Sequence, residues 1–85
     1  MEHIPDEDFW EFAEKLPRKI QKRIPQKFEL LRRHPRHPSL NFKKVGPRLW
    51  SIRITKGYRA LALEKDDTFV WNWVGKHDEY MRRIP

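Results

Sequence analysis

The sequence has no cysteine, which excludes disulfides and thiolate metal sites and is compatible with a reducing compartment. Glycine occurs only at positions 46, 57 and 75, so there is no flexible linker, and neither a repeat nor a low-complexity tract is present. No apolar run reaches the length of a signal h-region or a membrane span. A soluble cytoplasmic protein without membrane association is therefore expected. At 85 residues the chain has room for one core and buries roughly 60–65% of its unfolded surface. A single domain over 1–85 is expected. Charged residues are 36% and hydrophobic residues only 38% of the chain, but four Trp, five Phe and two Tyr supply large buried areas.

Acids are also nearly missing from one long stretch. Residues 15–48 hold twelve Lys or Arg against the single acid Glu29, whereas residues 1–14 hold six acids and neither Lys nor Arg. The net charge is +7. A basic block of this kind raises encounter rates with polyanions, which points to nucleic acid; its bland alternative is a solvated helix face.

Pro5-Asp6-Glu7-Asp8 has the chemistry of a helix start, with proline in the first turn and acids opposing the macrodipole. Phe9, Trp10, Phe12, Ala13 and Leu16 follow as an apolar stripe, ended by Pro17. Ile20, Ile24, Phe28 and Leu31 then mark one face of a second helix. Pro25 removes a backbone donor and clashes with the Gln21 carbonyl, which predicts a kink or restart. The helical layer spans 5–34.

From Leu49 the period changes to two. Leu49–Ile54, Tyr58–Glu64 and Phe69–Gly75 read as three antiparallel strands, a sheet over 49–75. A three-residue loop at Thr55-Lys56-Gly57, with glycine left-handed, would set Ile54 opposite Tyr58 and Arg53 opposite Arg59. A four-residue loop at 65–68 would set Glu64 opposite Phe69 and Leu61 opposite Asn72. One face then collects Trp50, Ile52, Ile54, Tyr58, Ala60, Ala62, Trp71 and Trp73, which should receive the helices. The other collects Leu49, Ser51, Arg53, Arg59, Leu61, Leu63, Val70, Asn72 and Val74. Like charges opposed across strands cost about 0.2–1 kcal/mol, and an anion between them would offset that. His77 to Arg83 reads as a closing turn or helix, with His77 at its mouth on the side of Val74.

Metal-free RNA cleavage needs a group to take the 2′-hydroxyl proton, cations for the charge on phosphate, and an acid for the leaving oxygen. His77 offers the side-chain type suited to proton transfer at physiological pH, Arg53 and Arg59 can grip phosphate bidentately, and Tyr80 can assist proton transfer or stack on a base. Lys43, Lys44 and Arg48, just before the sheet, are candidates for holding nucleic acid. Each has a plainer alternative: Arg53 and Arg59 pairing with Glu64 or Glu79, His77 as a cap, and Tyr80 packed under the sheet. His34 and His37 sit at a metal-like spacing, but flanking prolines and the lack of further ligands favour a loop. No metal or cofactor is expected, and His3 is assigned no role.

The runs His37-Pro38-Ser39-Leu40-Asn41-Phe42-Lys43-Lys44-Val45, Trp50-Ser51-Ile52-Arg53, Tyr58-Arg59-Ala60-Leu61 and Trp73-Val74-Gly75-Lys76-His77-Asp78-Glu79-Tyr80 resemble the RelE/ParE toxin superfamily over roughly residues 9–83. The resemblance implies an α+β fold: two N-terminal helices on an antiparallel sheet of three, possibly four, strands, with a short C-terminal helix at 77–83. It further implies the toxin of a type II toxin–antitoxin pair, with a cognate antitoxin. For the RelE branch it implies cleavage of messenger RNA on the ribosome, with family basic residues at Lys43 and Lys44, the strand arginine at Arg59, and His77 where many relatives carry Arg. Relatives usually open with a strand, which the acidic start here argues against, leaving a sheet edge open to a partner. A gyrase-directed ParE-like toxin and a non-catalytic RNA-binding module remain the alternatives.

Overall fold

The acidic start does not enter a helix directly. In the computed structural model, which describes all residues from Met1 to Pro85, Glu2–Pro5 forms strand β1, parallel to the last strand. This corrects the expected absence of an opening strand. Four residues with one buried side chain are too few for a period-two signal, and tertiary contacts hold them. The His3 ring stacks on Phe69 at 5.0 Å and its Nδ1 accepts from Trp71 Nε1 at 3.2 Å. Arg32 Nη2 donates to the His3 carbonyl at 2.9 Å. His3, assigned no role from sequence, is thus a buried core residue.

Asp6 caps helix α1 (Glu7–Glu14), its carboxylate accepting from the Phe9 amide at 2.9 Å; such a cap contributes about 1 kcal/mol. Phe9 and Ala13 face the core, whereas Trp10 is exposed. Helix α2 (Arg18–Arg33) buries Ile20, Ile24, Phe28 and Leu31, the four residues its spacing marks. It passes Pro25 without restarting. Proline removes one bond from the ladder, and buried Ile24 and Phe28 on either side hold the helix against the sheet.

A 3₁₀ turn (Pro38–Leu40) leads into β2 (Lys43–Gly46), followed by β3 (Leu49–Thr55), β4 (Tyr58–Lys65), β5 (Thr68–Lys76) and α3 (His77–Arg83). The sheet therefore has five strands, not three or four, in the order β1-β5-β4-β3-β2. The pair β1–β5 is parallel and the rest antiparallel. Beyond the central meander, a short strand lies on each edge.

Two irregularities set which side chains share a face. Thr55, not Ile54, opposes Tyr58 across a two-residue turn, yet Arg53 still opposes Arg59, because a bulge at Ile54 absorbs the difference. Gly57 has no positive φ, so the left-handed glycine loop is not formed. Glu64 opposes Phe69 as expected, but Leu61 opposes Trp73, with Asn72 as the extra residue of a second bulge. A bulge inverts the alternation beyond it. Trp71 consequently lies in the core under the helices with Ile52, Ile54, Ala60, Ala62 and Val74. Trp73 emerges on the opposite face, packed with Leu61 and Tyr80. The expected faces hold from β3 through Ala62, and Trp73 and Val74 exchange sides. No helix is long and apolar enough to cross a membrane.

Candidate nucleic-acid interface

The face turned away from α1 and α2 is built from two cross-strand rows. Lys43, Ser51, Leu61 and Trp73 are opposed in one, and Arg53, Arg59 and Gly75 in the next. Directly opposed residues project to the same side of a sheet, so the two guanidinium groups stand on one surface. The His77 amide donates to the Gly57 carbonyl at 2.9 Å, which fixes the start of α3 beside the β3–β4 turn. His77 is half-buried at that mouth, its ring 5.7 Å from the ring of Tyr80.

The two arginines are held differently. Arg59 is buried, and its Nη1 donates to the carbonyls of Thr55, Lys56 and Tyr58 at 2.7, 3.0 and 3.1 Å. It therefore braces the turn while leaving Nε and Nη2 without a protein acceptor. The Arg53 side chain makes no hydrogen bond within the chain, and its Nε is buried without a partner. Neither pairs with Glu64 or Glu79; the one ion pair formed is Arg33–Glu29 on exposed α2. Glu64 instead accepts from Trp50 Nε1 at 2.8 Å. Burial, then the neighbouring Arg53 charge, pushes the Arg59 pKa down, with Tyr80 partly opposing. Lys27 on α2 is also pushed down, by burial first, then by Arg23 and Arg53. In both, burial is the main cause and a neighbouring cation adds to it.

Tyr80 is buried, its hydroxyl 3.1 Å from Ser51 Oγ. That placement excludes base stacking by its ring and makes Ser51, which sequence reasoning did not select, part of the site's support. Lys43 lies opposite Ser51 on the arginine face, whereas Lys44 lies opposite Trp50 on the helix face. The two lysines, grouped in sequence, are separated by the strand's alternation. Arg48 occupies the β2–β3 turn with φ +57°, roughly 16 Å along β3 from Arg53 at about 3.3 Å per residue. His37 Nδ1 accepts from the Ser39 amide at 3.1 Å, capping the 3₁₀ turn. No three His, Asp or Glu side chains converge into a metal-binding group.

This topology and sequence match a known family. Residues 18–82 match the model of the ParE-like toxin domain. The chain belongs to that family, within the RelE/ParE toxin superfamily. No curated protein sequence matches it. Among solved structures it is similar to a chain of the RelB–RelE antitoxin–toxin complex from Methanococcus jannaschii. Identity there is 20%, with 96% of this chain and 99% of that one covered, at a TM-score of 0.73. YafQ from E. coli gives 7% identity, 93% and 96% coverage and a TM-score of 0.72. The isolated RelE toxin from E. coli gives 20%, 96% of each chain and 0.60.

In this ParE-like domain the arginine row and the mouth of α3 converge through bulges and backbone bonds that no motif encodes. Ser51 joins the neighbourhood through its bond to Tyr80. The sole sequence signal for Ser51 is its register with Leu61, which the hairpin length fixes.

Proposed function

We propose that this ParE-like domain is the toxin of a type II toxin–antitoxin pair, acting as a metal-independent, ribosome-dependent mRNA endoribonuclease in the cytoplasm. The observation that carries the reading is the opposed pair Arg53 and Arg59 on the face turned away from α1 and α2, with no carboxylate on either guanidinium. A like-charge pair without counter-ions is unfavourable alone and favourable around a phosphate. In the reaction, His77 takes the proton of the 2′-hydroxyl. The 2′-oxygen bonds to phosphorus, the bond to the 5′-oxygen breaks, and that oxygen is protonated by solvent. Arg53 and the free edge of Arg59 neutralise the charge developing on the phosphoryl oxygens, and Lys43 holds the adjoining backbone. Tyr80 acts as a positioning residue: its phenol, spent on Ser51, sets the angle of α3 and hence of His77. The RelB–RelE complexes among the structural neighbours support a cognate antitoxin as partner.

Arg53 and His77 are the informative positions, because Arg59 also braces a turn. Primer extension on messages from expressing cells should reveal discrete new ends, absent for Arg53→Ala and His77→Ala at unchanged circular dichroism. Full toxicity of both variants refutes the reading. The ParE-like family match favours one second reading, a protein-binding toxin that inhibits DNA gyrase. Its mark is damaged DNA with intact transcripts. A binding module without turnover would give neither ends nor damage, but strongly salt-dependent RNA affinity.

A further inference from the structure

On the helix side of the sheet edge, between the end of α2, the Pro35–Pro38 loop and β3, lies a cavity of about 690 Å³. It belongs to neither the arginine face nor the packed core. Phe42 and Trp50 are half-buried in its wall, their ring centroids 4.9 Å apart and 31° from parallel. His3 and Phe69 lie behind them. Burial, Arg32 and the N-terminus lower the His3 pKa to about 4, so at neutral pH this imidazole adds an uncharged aromatic wall. The rim carries the cations Arg32 and Arg36, and no Asp or Glu lines any part of the cavity. Lys44, opposed to Trp50 across β2, adds a third cation on this side.

From aromatic walls, a purely cationic rim and a volume within the usual range for ligand sites, we infer that the cavity binds one nucleotide unit of single-stranded RNA. The base lies against Phe42 and Trp50, and its phosphate lies at Arg36. Base–aromatic stacking of this type contributes about 1–3 kcal/mol per base and tolerates any base. A rim whose charged groups are all cations suits a phosphate. A peptide strand is disfavoured, because the His3 carbonyl on the adjoining edge strand is already bonded to Arg32. Lys43 and Lys44 project to opposite sides of β2, the outermost strand. One RNA strand crossing that edge would meet Lys43 on the arginine face and Lys44 on the cavity side. The inference does not depend on cleavage.

The test is a ¹⁵N NMR titration of the full chain with a 2′-O-methyl RNA hexamer, which cannot be cleaved, and with 5′-AMP. The Trp50 indole N–H is the reporter. Both ligands should shift it saturably, the hexamer binding at least tenfold more tightly than free nucleotide. Arg36→Glu, in an exposed loop, should weaken the hexamer at least tenfold. Arg18→Glu, about 21 Å along α2 from Arg32 on the rim, should stay within twofold. An unmoved Trp50 indole, equal effects of the two charge reversals, or a response to a hexaglutamate peptide but not to RNA each overturns the inference. Because the oligomer is inert, failure here leaves the cleavage reading intact. A cleavage-dead chain that still shifts Trp50 leaves the cavity intact.

Discussion

Replacing Arg53 by methionine separates function from folding more cleanly than any other change. Methionine keeps the apolar stem and removes the guanidinium. Two unfavourable contributions leave with it: repulsion from Arg59 directly across the strands, about 0.2–1 kcal/mol, and a buried Nε without an acceptor, about 1–3 kcal/mol. Some packing is lost in exchange, so a net stabilisation of about 1 kcal/mol is expected. For a chain of this size that raises the melting temperature by roughly 4–8 °C. The part due to repulsion should shrink at high salt. In parallel, the slope of log affinity against log salt for single-stranded RNA should become shallower by about 0.7, one phosphate contact. Thermal melts at two ionic strengths and RNA titrations at four salt concentrations measure both effects. A variant less stable than the parent by 1 kcal/mol, or with an unchanged salt slope, refutes the assignment of Arg53 to anion binding.

Arg59→Met should do the opposite, costing about 2–3 kcal/mol in denaturant melts, because three turn carbonyls lose a charged donor. His3 makes stability pH-dependent. Its folded pKa of about 4 lies below the ordinary 6.5, so its contribution is full above pH 6.5 and declines as pH falls to about 4. The loss is on the order of 3 kcal/mol. The stability difference between parent and His3→Leu, measured from pH 7 to 4, should shrink accordingly; parallel curves would remove this role. Gly75→Ala should cost about 1–3 kcal/mol and alter near-ultraviolet circular dichroism, since the new Cβ would stand 2.4 Å from Trp73 Cζ2. Tyr80→Phe should cost about 1 kcal/mol through its bond to Ser51 and leave toxicity within a few-fold. Loss of all cleavage with the fold retained would return the phenol to the chemistry.

Where a segment's own period decides its structure, the sequence was a sufficient guide. The four apolar positions of α2 are the four it buries, and α3 occupies His77–Arg83 as its acid-first, arginine-last order implies. The opposition of Arg53 and Arg59 was also legible, but only because the bulge at Ile54 cancelled an error in the loop length. The bulge at Asn72 was not legible. Nothing local distinguishes Trp71-Asn72-Trp73 from plain alternation, and the choice rests on which indole the helices can cover. Strand β1 was missed because His3 gains its partners from α2 and β5, and such long-range contacts leave no trace in a four-residue window. Lys43 and Lys44 read from sequence only as a pair just before the sheet; their separation onto opposite faces depends on strand β2, which was not detected.

The Asn72 bulge also shapes the face that carries the arginines. It turns Trp73 onto the arginine face, where the indole fills the space that Gly75 leaves empty. The Arg83 guanidinium lies 4.7 Å over that indole and 5.4 Å from the Phe12 ring, binding the end of α3 to α1 and closing the β5 side. Tyr80 covers the middle of the face by packing on Leu61 and Trp73. Beyond Ser51, however, β3 has no β2 partner, because β2 reaches only from Leu49 to Ser51. Arg53 therefore lies beyond the reach of β2, with Lys43 the last β2 residue paired on its face. There the half-buried Arg53 leaves its Nε without a partner, whereas the buried Arg59 is braced by the turn carbonyls.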